Sequence, residues 1–192
     1  VLSWACSEGL AVFPRGGGTQ LALGNVPDRA DLVLDLSRYG SNIPDHRPAD
    51  LTATVDAGIT LEVLQKELAR QGQFLPLEAP LASKATIGGT LASNTTGPMR
   101  YSYGLPRDWL IGIGVVSAQG VETKAGGQVV KNVSGYDLNK LYTGSLGTLG
   151  VIVEATFKLS PVPPESGALA AVFPSLQHGM QAADGLLQQV SA

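Results

Sequence analysis

The sequence predicts a mixed α and β domain, and three observations carry that prediction. Two segments, LTATVDA at 51–57 and VIVEATFKL at 151–159, alternate apolar and polar residues with the two-residue period of a strand. A third, 60–72, carries Leu61, Leu64 and Leu68 at helical spacing. Glycine is abundant, 24 of 192 residues against an ordinary level of about 7%, and it is gathered in clusters.

Bulk properties narrow the function classes. A hydrophobic share of 44% suits a packed core, and the length allows one large domain or two small lobes sharing a core. The net charge of −3 offers no basic surface for nucleic acid. Cys6 is the only cysteine, so an internal disulfide is excluded. That leans towards a reducing, cytoplasmic setting, and the thiol is expected as a small buried apolar group. No apolar run approaches the roughly 18 residues of a membrane helix. The opening VLSWACSEGL lacks an initiator methionine and suits the end of a helix begun earlier, so the chain is expected to be a piece of a longer protein.

In chain order, LAVF at 10–13 reads as a buried strand closed by Pro14, and LVLDL at 32–36 as a second strand. After strand 51–57, Thr60 is the expected N-cap of a helix that stops at Gly72. Glu62 and Lys66 sit four apart on its wet face. Residues 79–106 are rich in Gly, Ser, Thr, Pro and Asn and lack periodicity. So long a stretch is expected to be an ordered binding loop with about one helical turn. Strands follow at 111–118 and, after the AQG turn, at 121–126; strand 151–159 is broken by PVPPES at 161–166. The last segment, from Ser175, reads as a helix weakened by Gly179 and Gly185.

Four stretches stand apart: RGGGT (15–19), TIGGTLASNTTG (86–97), SGYDLNKL (134–141) and GSLGTLGVI (144–152). Glycine removes a Cβ and permits positive φ, so successive amides can point into one concavity that favours an anion, above all a phosphate. Arg15 is an optional counter-charge there. Read alone, three glycines also suit a flexible turn; four glycine-bearing clusters in one chain favour a site built from backbone. GSLGTLG lacks the G-x-G-x-x-G spacing and precedes a strand, so the usual dinucleotide argument does not apply. A P-loop is absent.

Other chemistry finds little support. His46 lies in the polar stretch PDHRPAD and is expected at the surface; His178 is distant in sequence, and no metal-ligand spacing is present. Asp137 is expected to cap a turn, Arg107 and Asp108 to form a local ion pair, and Trp4 and Trp109 to pack. Ser145 lacks the surroundings of a hydrolase nucleophile. No catalytic residue is assigned.

In combination, PRGGGT, PLASKATIGGTLASNTTGPMRYSYGLPRDWLIG, KNVSGYDLNKL and GSLGTLGVIVEATFKL resemble the FAD-binding domain of the vanillyl-alcohol oxidase type, also called PCMH-type. The likeness is strongest to the FAD-binding E subunit of bacterial glycolate oxidases and covers about residues 1–165. It implies an α+β fold: a small α/β lobe (1–78), a larger lobe with a mixed or antiparallel sheet and flanking helices (79–163), and a truncated segment or linker helix (164–192). By that likeness Arg15, Gly16, Gly17, Gly18, Thr19 and Gln20 hold the FAD pyrophosphate. Pro80, Thr86, Gly88, Gly89, Ser93 and Asn94 line the pyrophosphate and flavin. Gly97, Arg100, Tyr103 and Gly104 close the second loop, and Gly147, Gly150, Val151 and Ile152 approach the adenine.

Many relatives attach flavin through a histidine in or near the first loop, and none is present there, so the resemblance implies non-covalent FAD. The chain is too short to carry the substrate-covering domain of such proteins, so most substrate contacts and the general base are expected elsewhere. The implied activity is oxidation of a small 2-hydroxy acid, glycolate or D-lactate, with electrons passed to a non-nicotinamide acceptor. Partner subunits of a glycolate oxidase-like complex are implied too, and they would supply any peripheral association with a membrane. Two alternatives stand beside it: a non-catalytic electron-relay module, and a reductase similar to that acting on UDP-N-acetylenolpyruvoylglucosamine.

Overall fold

The computed structural model describes residues 1–127 and 137–190 and divides into two compact units, Val1–Val162 and Pro163–Ala192. In the first, helix α1 (Leu2–Ser7) leads into strand β1 (Val12–Arg15), which pairs in parallel with β2 (Leu32–Asp35). Then come β3 (Asp45–Arg47), β4 (Thr52–Asp56), α2 (Leu61–Ala69) and β5 (Gln73–Phe74). Helices α3 (Ile87–Ser93), α4 (Arg100–Tyr103) and α5 (Pro106–Trp109) precede β6 (Leu110–Val116) and β7 (Glu122–Gly126). Helix α6 (Leu138–Tyr142), β8 (Val151–Lys158) and β9 (Ser160–Pro161) complete the unit, and α7 (Leu176–Val190) lies in the second.

The fold is α+β. Its main sheet is antiparallel, in the order β3-β4-β8-β6-β7. The strand expected at 151–159 is central: β8 sits between β4 and β6, with Phe157 fully buried opposite Ala53 and Leu110 and the polar Thr156 buried too. Thr54 and Thr156 face each other across β4 and β8, their hydroxyls 2.9 Å apart, which satisfies two buried polar groups at once. β6 accommodates two register shifts against β8, at Leu110/Gly112 and Gly114/Val115. The sheet therefore draws strands from chain on both sides of residue 78.

Leu61, Leu64 and Leu68 of α2 join Val55, Leu75, Ile87, Leu91, Val115 and Phe157 in one core. The ends of α2 follow the expected signals. The Thr60 side chain accepts from Val63 N, and Gly72 takes φ +65° after the last turn. The start of α3 is tied to that of α2: Ile87 N donates to Ile59 O (2.9 Å), Leu61 N to Ala85 O (2.9 Å) and Gly88 N to Ala57 O (2.8 Å).

Several expectations need correction. Residues 79–106 hold two short helices, α3 and α4, and the first residue of α5, more than one helical turn. Periodicity missed α3 because Gly88, Gly89 and Ser93 interrupt the pattern and one of its buried positions, Thr90, is polar, which leaves Ile87 and Leu91 as its only large apolar residues. Cys6 is exposed, since Ala5 takes the buried position of α1, and Trp4 is 55% exposed. His46 is half-buried in β3, with Nε2 2.9 Å from Gln73 Oε1. Asp108 turns to the amide of Leu105 (2.7 Å), and among the described residues no ion pair joins it to Arg107. Trp109 does pack: its Nε1 donates to Tyr103 O (2.7 Å), and Lys158 Nζ lies 4.8 Å above its ring. Asp137 caps α6, accepting from Lys140 N and pairing with Lys140 Nζ at 2.8 Å, which holds its carboxyl below the usual range.

In the second unit α7 runs unbroken through Gly179 and Gly185, with the Ser175 hydroxyl 2.7 Å from His178 Nδ1. Among the described residues no helix is long and apolar enough to cross a membrane. Truncating the most enclosed large side chain should be costly: Phe157→Ala is expected to lower unfolding free energy by about 3–5 kcal/mol in urea denaturation.

Candidate functional site

Three of the four special stretches meet at one open, mostly apolar cavity. The end of β1 contributes Pro14 and Gly16, and the loop after β2 contributes Leu36. From α3 and its cap come Thr86, Gly88, Gly89 and Ala92, over Ala57 at the end of β4. The loop into β8 supplies Leu146, Gly147, Gly150, Val151 and Ile152. Eight of the sequence-predicted residues are thus brought together: Gly16, Thr86, Gly88, Gly89, Gly147, Gly150, Val151 and Ile152. Pro14, Leu36, Ala57, Ala92 and Leu146 were missed. Pro14, Ala92 and Leu146 sit inside the quoted stretches but were passed over as apolar, whereas Leu36 and Ala57 carry no motif signal and are identified only by where the fold places them.

The glycines are required because the segments approach too closely for side chains. A Cβ at Gly16 would overlap the Thr86 hydroxyl, and one at Gly17 would overlap the Lys84 carbonyl. At Gly88 it would come 2.9 Å from Ala57 Cβ, at Gly147 2.8 Å from Pro14 Cγ and at Gly150 2.7 Å from Val115 Cγ1. RGGGT crosses the start of α3 with its backbone, and a Cβ would push it off. Among the described residues, no acceptor takes the amides of Gly16, Gly17 and Gly18. Three successive free donors beside an apolar cavity suit an anionic group attached to a flat apolar one.

The remaining predicted residues lie outside the cavity lining. Gly18, at φ +72°, lies against the Arg15 stem and Leu21, and Thr19 and Gln20 turn the chain towards Leu23, whose amide donates to Gln20 O (3.0 Å). Arg15 directs its guanidinium to Asp35 (2.6 Å) and is no free counter-charge. Pro80 is exposed in the turn before α3. Ser93 Oγ bonds Gly89 O (2.7 Å) and Thr95 Oγ1 (2.6 Å). Asn94 caps α3 in the left-handed region, and its Oδ1, like Ser145 Oγ, is buried with no partner. Gly97 packs against Glu78, whose Oε2 accepts from Met99 N (2.6 Å). Tyr103 meets Phe74 edge-on at 5.6 Å, Gly104 lies against the Asp108 carboxylate, and Arg100 is exposed. Of SGYDLNKL, residues 134–136 lie outside the described residues, and 137–141 form the cap and most of α6.

Hydrogen bonds from Ser37, side chain and backbone, and then from Arg15 hold the Asp35 carboxyl down to about 2, from an ordinary 3.8. A depressed carboxylate stabilises the fold above its ordinary value and loses that contribution as pH falls through its folded value. The pair is therefore complete above about pH 4 and lost on the way to pH 2.

Comparison with known proteins agrees with this geometry. The sequence pattern of a family described as "FAD binding domain" matches residues 1–126. The chain belongs to this family. FAD is the cofactor of this FAD-binding domain, and the residues fit it: free amides for the diphosphate, and Leu36, Val151 and Ile152 for an apolar ring. A D-2-hydroxyglutarate dehydrogenase of Xanthomonas citri pv. viticola is 38% identical over 181 residues, covering 94% of this chain and 38% of that protein. Glycolate oxidase subunit GlcE of Escherichia coli is 38% identical over 149 residues, covering 77% of this chain and 42% of that one. Among solved structures, an alkyldihydroxyacetonephosphate synthase superposes with a TM-score of 0.78 at 26% identity, over 98% of this chain and 34% of that one. The FAD-binding domain thus spans about two fifths of the length of these curated relatives.

Substitution at the crossing tests the site. Gly17→Ala should weaken FAD binding at least about tenfold, measured by quenching of flavin fluorescence. Gly167→Ala, where an added Cβ meets nothing within 4 Å, should leave binding unchanged.

Proposed function

We propose that this domain is the FAD-holding part of a flavoprotein oxidoreductase that oxidises a small 2-hydroxy acid and passes the electrons to a non-nicotinamide acceptor. The observation that carries the reading is the convergence of three glycine loops on one apolar cavity, with the Gly16–Gly18 amides free. Both curated relatives described above carry names of 2-hydroxy-acid enzymes or their subunits.

When bound, FAD supplies the acceptor for a hydride from the substrate's α-carbon. The chain's own residues bind and orient. The amides of Gly16, Gly17 and Gly18 face the diphosphate, the Thr86 hydroxyl stands beside them, and Pro14, Leu36, Val151 and Ile152 exclude water from the apolar part. Gly97, Tyr103 and Gly104 belong to this reading as supports of the second loop through Glu78, Trp109 and Asp108. The two lobes, 1–78 and 79–163, share the cofactor. Attachment is non-covalent, for no histidine lines the cavity and His46 is engaged by Gln73.

Among the described residues, none that lines the cavity carries a titratable side chain. This supports a base that lies outside the cavity lining. That observation also favours a second reading, in which the domain relays electrons within a complex without turnover of its own.

Two measurements separate these readings. The purified chain, mixed with FAD and desalted, should show flavin absorption bands, and acid precipitation should leave all the flavin in the supernatant. A colourless protein overturns the assignment, and flavin in the pellet overturns non-covalent attachment. With FAD bound, glycolate or D-lactate should bleach the bands only when the remaining chain or partners are present. Bleaching by this chain alone would overturn the external base.

A further inference from the structure

Arg15 and Asp35 stand opposite each other at the ends of two parallel strands, immediately before two residues that line the cavity, Gly16 and Leu36. Arg15 Nη2 donates to Asp35 Oδ2 at 2.6 Å, and the Ser37 amide donates to Asp35 Oδ1 at 2.9 Å. The Leu36 amide donates to Arg15 O at 2.7 Å. One carboxylate thus ties the chain leaving β1 to the chain leaving β2. The stem of Arg15 also runs back along the glycine loop: a Cβ on Gly18 would lie 3.9 Å from Arg15 Cδ. Gly18 itself, at φ +72°, is where that loop turns.

We propose that Asp35 is a positioning residue for the cofactor site: by holding the Arg15 guanidinium it lays the Arg15 stem against Gly18 and fixes the direction of the free Gly16–Gly18 amides. This deepens the flavin reading and rests on it. Two consequences set it apart from a simple counter-charge. The diphosphate meets neutral amides, because the nearest cation of the loop is already neutralised. The pair also does its work through geometry, since an ion pair with both side chains more than 40% exposed adds little stability of its own. The low pKa of Asp35 keeps the brace formed throughout the neutral range.

The test uses the whole chain with Asp35→Ala, Arg15→Gln, the double variant and Arg15→Lys. FAD affinity is read from flavin fluorescence at KCl from about 50 to about 500 mM, a range over which exposed charges are progressively screened. Order parameters of the Gly16–Gly18 amides are read by ¹⁵N relaxation without flavin. Each single loss should weaken FAD about tenfold with little change in Tm. The double variant should be no worse than either single one, since both remove one device. Arg15→Lys, which keeps a charged stem, should recover most of the affinity. The three amides should become more mobile in Asp35→Ala.

If Asp35→Ala binds FAD more tightly at low salt and loses that gain with KCl, Arg15 is a waiting counter-charge and the proposal is overturned. FAD affinity within about twofold of wild type in both single variants also overturns it, whatever the amides do. A wild-type chain that takes up no FAD refutes the flavin reading instead. The brace is then decided by the amides alone: greater mobility in Asp35→Ala upholds it, and unchanged mobility sinks it.

Discussion

The domain depends on the antiparallel pairing of β4 and β8. Thr52 to Asp56 meet Lys158 to Glu154 across about a hundred residues of sequence, and that contact places two of the cavity's glycine stretches, the start of α3 and the loop into β8. The carboxyl end of β4 carries Ala57, which receives the amide of Gly88. The amino end of β8 carries Gly150, Val151 and Ile152, which form the opposite wall. A strand pair that buries Val55, Ala155 and Phe157 is rigid, so the two walls keep a fixed separation. Without it, the two glycine-rich stretches that flank those walls would each be free to wander.

On that frame the site is made from backbone. Side chains would give stronger single contacts, but at Gly16 and Gly17 there is no room for them against Thr86 and Lys84. What remains is a set of amides whose direction is set by neighbours. Asp31 accepts from Ala11 N (2.8 Å) where β1 begins, and Asp35 grips Arg15 where it ends. Glu78 receives Met99 N, Trp109 gives its indole proton to Tyr103 O, and both restrain the second loop. Asp31, Asp35 and Glu78 thus act on loops. A cradle of amides holds an anion through dipoles, whose interaction falls off within a short distance and so demands accurate placement.

Such a cavity suits binding and orientation, and among the described residues its lining holds no titratable side chain. Redox chemistry is the cofactor's, and the domain's part is to hold it. This division explains how similar domains can sit in proteins with names as different as a 2-hydroxyglutarate dehydrogenase and an alkyldihydroxyacetonephosphate synthase.

Local signals sufficed wherever a segment's structure is decided by its own residues. The period of 151–159, the Thr60 cap with Gly72 beyond the helix, and the Asp137 cap of α6 are each read from a few neighbouring side chains. The glycine clusters announced a site built from amides for the same reason, since only a bare backbone permits close approach. Elements whose burial is decided by distant partners were not legible. α3 buries a threonine beside Ile87 and Leu91, and nothing nearby says that Ala57 and Ile59 will receive its first turn. Cys6 and Ala5 are interchangeable by local preference, and packing alone exposed the thiol. The salt bridge of Arg15, which turns a presumed counter-charge into a brace, needs β1 and β2 in register, and register is a property of the pair of strands.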